Sequence, residues 1–339
     1  MKKKYLIIIL VIALLIVGGA AAGLRVWYSN NLKAVSSSDE INFFTVEPGT
    51  GVHQIAADLY EEGLIRSISA FETYVTTNDY RDKLQAGTYR LSPSMGVQDI
   101  VEKLVEGDVA KDLLTILPGK RLAEVQEAFK KAGYSRSEIK TAFNPANYVG
   151  HPALASLPKG ATLEGYLYPD SYQKQTNTPA STIVRQSLNE MSKYLTSNVT
   201  DGFKVQGLTV FEGVTLASIV AKETDNPSDQ PIVAQVLLTR LAREMALQAD
   251  ATAWYASDIA GQPRSLDINS RYNTYRFPGL PPGPISNVTK EALRAVANPT
   301  STTYIYYFTG EDCKMHYSYT LDEHETAISE YGVKACSSQ

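Results

Sequence analysis

The stretch Tyr5–Leu24 carries no charged residue and is bounded by Lys2-Lys3-Lys4 on one side and Arg25 on the other. Twenty residues in a helix span about 30 Å, the thickness of a bilayer's hydrocarbon core. This run divides the chain into a membrane stretch and an aqueous body. The lysines should stay cytoplasmic, which makes 1–4 a cytoplasmic tail, 5–24 a single transmembrane helix and the remainder extracytoplasmic. A cleaved signal peptide competes with this reading, because Gly18-Gly19-Ala20-Ala21-Ala22-Gly23 resembles a small-residue cleavage region. The length of the apolar run favours a retained anchor.

The body is large enough for two or three domains within the 339 residues. A 44% hydrophobic and 20% charged composition is that of an ordinary folded protein. The net charge of -4 offers no global basic surface, so nucleic acid is not expected as a partner. Tyrosine outnumbers phenylalanine 21 to 9, and a flat ring with a polar tip suits sugar or peptide surfaces. No cofactor or metal is expected, since the four histidines and the two cysteines lack zinc-like spacing. Cys313 and Cys336 could bond in an oxidising compartment or remain free thiols. Asn198-Val199-Thr200 and Asn287-Val288-Thr289 fit the glycosylation sequon, a pattern that arises often by chance.

Residues 25–42 are polar and Ser-rich and read as a linker. Then a unit repeats. Phe44–Gly49 leads to Val52, Ile55, Ala56 and Leu59; Tyr89–Ser94 leads to Val97, Ile100, Val101 and Leu104; Thr115–Gly119 leads to Leu122, Val125 and Phe129. Each is a short β-like run, a Pro turn and an amphipathic helix. The first two units form a small α+β module over 43–107. It resembles a LysM module, a β-α-α-β fold that binds N-acetylglucosamine polymers; a generic spacer is the alternative. The third unit opens a bridging subdomain over 108–158, and 159–339 form a larger domain. There, helices are expected near 180–195, 213–225, 230–245, 289–297 and 322–331, with strands at 304–309 and 317–320.

Leu216, Ile219, Val220 and Glu223 fall at i, i+3, i+4 and i+7 on one helical stripe. The first three should face inward, and Glu223 continues their line. A carboxylate carried into an apolar wall favours its proton, and the negative end of the helix dipole acts the same way. Such a group can serve as a general acid near neutral pH. The alternative is a solvated Glu, or one paired with Lys222 or Arg243. Tyr166 and Tyr168, two apart, would share one face of a strand as a stacking platform or an aromatic ladder, beside the carboxylates Glu164 and Asp170. Gln248 and Asp250 would lie on one side of an extended segment. Asn273 and Tyr275 precede the stiff loop Phe277–Pro284. Such side chains hold hydroxyls and acetamides in carbohydrate clefts.

Taken together and in order, Glu164-Gly165-Tyr166-Leu167-Tyr168-Pro169-Asp170, Ala217-Ser218-Ile219-Val220-Ala221-Lys222-Glu223, Leu247-Gln248-Ala249-Asp250, Asn273-Thr274-Tyr275 and Gly279-Leu280-Pro281-Pro282-Gly283 resemble the YceG-like family of membrane-anchored endolytic murein transglycosylases. The resemblance implies an α+β fold with an N-terminal transmembrane helix, a LysM-like module and a YceG-like catalytic domain. It implies cleavage of the β-1,4 bond between N-acetylmuramic acid and N-acetylglucosamine in peptidoglycan strands, with closure of a 1,6-anhydro ring. It also implies work beside peptidoglycan synthases at the bacterial cell membrane. Glu223 takes the position of the catalytic glutamate. Glu164, Tyr166, Tyr168, Asp170, Ser218, Gln248, Asp250, Asn273 and Tyr275 are the candidates for binding substrate. The family usually has a second Glu where this chain has Ala221, so an accessory carboxylate is missing. Rival readings are a non-catalytic wall-binding scaffold and a hydrolase that uses a second carboxylate from Glu164, Asp170 or Asp250.

Overall fold

The computed structural model describes residues 18–19, 22–39, 41–110, 112–175 and 177–333. Most of the expected anchor (5–17, 20 and 21) lies outside these. Among the described residues no single helix is long and apolar enough to cross a membrane. The chain divides into two units, Met1–Leu113 and Leu114–Gln339.

In the first unit, alternation sets the sheet. Phe44 and Val46 of β1 (Asn42–Val46) face inward, as do Tyr89 and Leu91 of β2 (Gly87–Leu91). The strands are antiparallel, with Phe44 opposite Tyr89. Between them come α1 (Val52–Glu61) and α2 (Ile68–Thr77), and α3 (Val97–Glu106) follows. The apolar stripe expected for the second repeat, Val97, Ile100, Val101 and Leu104, is buried. The order is therefore β-α-α-β with an added helix. Residues 22–31 are helical, and the chain beyond them is latched onto the unit rather than left as a free tether. Val97 N–H donates to Leu32 O at 2.9 Å, Ser36 N–H to Pro93 O at 3.0 Å, and Arg66 to Ala34 O and Val35 O.

The second unit has one core that runs from Leu114 to Ala297, so the residues expected to form a bridging subdomain share it from Leu114 onward. Its elements begin with β3 (Leu113–Ile116), α4 (Leu122–Lys131), α5 (Arg136–Ala142) and β4 (Asp170–Gln173), and β3 pairs with β4. Next come α6 (Ala180–Tyr194), α7 (Ser197–Val205), α8 (Val210–Glu223), α9 (Gln230–Ala242), α10 (Asp250–Ile259) and α11 (Lys290–Ala297). A hairpin of β5 (Tyr306–Thr309) and β6 (Met315–Ser318) and a last helix, α12 (Leu321–Tyr331), complete it.

Helix α8 is the axis of this unit. It starts on a capping box in which Thr209 Oγ1 accepts the Glu212 N–H and Glu212 returns a bond to the Thr209 N–H at 2.8 Å. Every residue from Gly213 to Val220 is buried, and α7, α9, α10 and α11 pack around the helix. Gly213 permits one of these contacts, since a Cβ there would stand 2.4 Å from the Phe203 ring. Cys313 is disulfide-bonded, and Cys336 lies outside the described residues. Asn287 is buried, with its side chain bonded to Leu117 O and the Lys120 N–H, so that sequon is structural.

Candidate active site

Helix α8 delivers Glu223 as its last residue, below a stripe of Leu216, Ile219 and Val220 that is fully buried. Glu223 itself is only partly covered. Its carboxyl is nevertheless packed closely enough by protein that loss of hydration raises its pKa to about 7. The Tyr307 hydroxyl donates to it and pulls the other way, Asp250 raises it further through its negative charge, and Arg240 and Lys222 lower it. The outcome is a reachable acid that holds its proton more tightly than a free carboxyl.

Three other elements converge on this carboxyl. Asp250 is the first residue of α10. It accepts the Tyr275 hydroxyl at 2.5 Å. Gln248 does not lie on an extended segment as its spacing suggested. It holds a left-handed backbone, φ 53°, in the turn that starts α10. That turn is braced by Gln248 N–H to Thr274 O at 3.3 Å and by Ala249 N–H to Thr274 Oγ1 at 3.1 Å. A non-glycine residue held at positive φ stores strain, a common feature of functional turns.

Arg240 on α9 and Tyr307 on β5 were not among the candidates. Arg240 is buried, and its Nε donates to Ile305 O at 2.8 Å. Its Nη1 donates to Leu247 O at 2.9 Å and to Ala246 O and Gln248 Oε1 at 3.3 Å. One guanidinium thus ties the strand that carries Tyr307 to the turn that carries Gln248 and Asp250. The signal for it was in the sequence. Val233, Leu237 and Arg240 fall at i, i+4 and i+7 on one stripe of α9, the same inward line that marks Glu223 on α8.

The remaining candidates are placed as supports. Asn273 is fully buried; its Nδ2 donates to Leu266 O and Ile268 O at 2.8 Å, and its Oδ1 accepts the Tyr275 N–H. It shapes the loop that presents Tyr275, with its side chain enclosed by protein. Ser218 is also fully buried: its Oγ donates to Thr215 O at 2.7 Å and accepts the Ile285 N–H at 3.0 Å, pinning the Pro-rich loop to α8. Tyr166 and Tyr168 lie in a turn that precedes β4, not on one strand face. Tyr166 packs against Phe211 and its hydroxyl meets Ser156 at 3.3 Å, while Tyr168 stacks on Tyr194 with centroids 4.5 Å apart. Both are core residues rather than a platform.

Glu164 is buried and Asp170 half-buried, and both acids have other partners. Glu164 Oε1 accepts the Leu122 N–H at 2.8 Å and Oε2 accepts the Tyr255 hydroxyl at 3.2 Å. Desolvation outweighs these bonds and raises its pKa to about 7. Asp170 accepts the Ser171 N–H at 2.6 Å and is likewise raised to about 7, chiefly by burial. Ala221 packs partly buried against the core of the second unit.

Glu223, at the end of a buried helix, is approached by a second carboxylate and by tyrosine hydroxyls, an arrangement capable of carboxyl acid–base chemistry. The chain belongs to the YceG-like family, whose model matches residues 44–330. It is 28% identical over 306 residues to the endolytic murein transglycosylase of Bacillus subtilis (strain 168), covering 84% of this chain and 83% of that protein. It is 29% identical over 318 residues to the endolytic murein transglycosylase of Streptococcus pneumoniae serotype 2 (strain D39 / NCTC 7466). There the match covers 84% of this chain and 57% of the relative, so the chain spans little more than half of the pneumococcal protein. A crystal structure of a YceG-like protein from Listeria monocytogenes matches with a TM-score of 0.56 and 31% identity, covering 86% of this chain and 100% of that one.

Proposed function

We propose that this protein is an endolytic murein transglycosylase. It cleaves the bond between N-acetylmuramic acid and N-acetylglucosamine within glycan strands and leaves 1,6-anhydro ends. The observation that carries the reading is the Glu223 carboxyl, partly accessible and raised to about 7. Protonated Glu223 gives its proton to the leaving glycosidic oxygen as the C1–O bond breaks. The resulting carboxylate then takes the proton of the muramic C6 hydroxyl, whose oxygen bonds to C1. No water is consumed and the acid is regenerated, so one carboxyl serves both steps. Asp250 keeps Glu223 protonated before the first step, and its negative charge stabilises the oxocarbenium-like transition state.

The names of the relatives support this reading over a scaffold role. It extends to an architecture with 5–24 as a single-pass anchor, the body outside the cell membrane, and the β-α-α-β module over 43–107 as a LysM-like glycan-holding unit. Placement beside peptidoglycan synthases would let the enzyme terminate nascent strands.

The test is mass spectrometry of purified glycan strands digested by the full chain in detergent, beside Glu223→Gln. Internal fragments with anhydro ends, reduced about a thousandfold or more in the variant, are expected. Reducing ends would instead mark a hydrolase, with Asp250 as the carboxylate already beside Glu223. Undiminished cleavage by Glu223→Gln would remove Glu223 from the chemistry.

A further inference from the structure

Up to its last turn, which also exposes Ile259, helix α10 shows one open line. Asp250, Trp254 and Asp258 are exposed or half-exposed, whereas all six residues between them, Ala251–Ala253 and Tyr255–Ser257, are buried. These three positions are four residues apart and so lie on one face, each about 6 Å further along the axis. The line begins at Asp250, whose charge acts on Glu223. Its middle member is the largest side chain available, 36% exposed.

A lone exposed aromatic needs no explanation, but Trp254 is held as well as exposed. The Arg264 guanidinium sits 5.5 Å from the indole centroid. Arg264 is fixed in turn by Asp258 Oδ2 at 3.1 Å, and that oxygen also takes Arg121 Nη1 at 2.8 Å. The ring is therefore ordered before any ligand arrives, which lowers the entropy lost on binding. One helical turn separates it from the acid pair, a distance comparable to one sugar unit of a β-1,4 strand.

We infer that Trp254 is a stacking platform for a hexosamine ring of the glycan strand, in a subsite about one sugar unit from the acid pair. The inference rests on the proposed glycan-cleaving function and adds a binding position to it. The indole offers an apolar face to the axial C–H groups of a pyranose, and Arg264 and Asp258 offer a donor and an acceptor to its hydroxyls and acetamide.

The chain has two tryptophans, Trp27 and Trp254, so Trp27→Phe leaves Trp254 as the sole indole emitter. Full-length protein in detergent, carrying Trp27→Phe and Glu223→Gln, is titrated with uncrosslinked murein glycan strands while emission is followed. A saturable change is expected. Calorimetric titration of Glu223→Gln protein with the same strands should then show binding about tenfold weaker on adding Trp254→Ala and largely restored with Trp254→Phe. Unchanged emission while calorimetry registers strand binding overturns the platform, as does unaltered affinity in Trp254→Ala. Absence of any binding overturns it too. Product analysis of the wild type on the same strands separates the cases: anhydro ends without a Trp254 response leave the enzyme reading standing and remove the subsite. The emission experiment keeps the indole in place, so it decides the matter even if Trp254→Ala fails to fold.

Discussion

The Tyr275 hydroxyl donates a 2.5 Å hydrogen bond to Asp250 Oδ1, which fixes the second carboxylate beside the one on α8. Asp250 and Tyr307 act on Glu223 in opposite senses: the charge of Asp250 raises its pKa, and the hydroxyl of Tyr307 lowers it. In the proposed mechanism Glu223 is protonated for the first step, so its pKa sets the alkaline limb of activity. Asp250→Asn should move that limb to lower pH. Tyr307→Phe should move it to higher pH. Rates of strand cleavage measured from pH 5 to pH 9 for both variants check this, and shifts of the same sign would refute the assigned roles.

Arg240 holds the site's walls together through four acceptors supplied by Ile305, Ala246, Leu247 and Gln248. Removing the guanidinium strands carbonyls in a buried setting. Hydrogen bonds to a charged group contribute about 1.5–3 kcal/mol each. Arg240→Met should therefore lower unfolding stability by at least about 3 kcal/mol. Arg240→Lys should recover only a small part, because a single ammonium cannot reach both Ile305 O and Leu247 O as the planar fork does. Urea denaturation of the full chain in detergent provides the check.

Much of this arrangement was legible in the sequence because it follows helical period. The stripes on α3 and α8 are buried as their spacing requires, and helices expected near 180–195, 230–245 and 289–297 begin within a residue of where they are found. What failed was a matter of burial on every side or of turn geometry. Helix α10 is buried over most of its circumference, with the polar Thr252 and Ser257 inside, so it carries no clear amphipathic period and passed for an extended segment. Helix α7 contains Ser, Asn, Thr and Gly, weak helix formers that tertiary packing overrides. Tyr166 and Tyr168 alternate like strand residues, but Gly165 turns the backbone at positive φ and sends both rings into the core.

That glycine is a point of strict fit. Gly165 has φ 83°, and a Cβ there would lie 2.4 Å from Pro284 Cβ and 3.3 Å from Val214 Cγ1. The left-handed conformation costs an L-residue about 1–2 kcal/mol, and overpacking adds about 1–3 kcal/mol. Gly165→Ala should thus destabilise the protein by about 2–5 kcal/mol. Gly150 also has positive φ, but open space surrounds it, so Gly150→Ala should cost only the backbone component. Melting temperatures of the two variants side by side separate the steric contribution from the conformational one.

Glu164, Asp170 and Glu223 each hold a proton more tightly in the folded chain than free carboxyls do, with pKa values near 7 against ordinary values of 3.8–4.5. Between those limits the native state binds more protons than the unfolded state, so stability is greatest at low pH within this window and declines as pH rises toward 7. Glu164→Gln isolates one contribution. The amide oxygen can accept the Leu122 N–H as Oε1 does, and the amide nitrogen can donate to the Tyr255 oxygen, so both contacts survive while the ionisation is lost. The variant should match the wild type near pH 4, below the unfolded-state pKa, and exceed it in melting temperature near pH 8. A deficit at pH 8 would mean that Glu164 is ionised in the native protein and stabilised by its neighbours, with Arg121 as the cation nearest to that role.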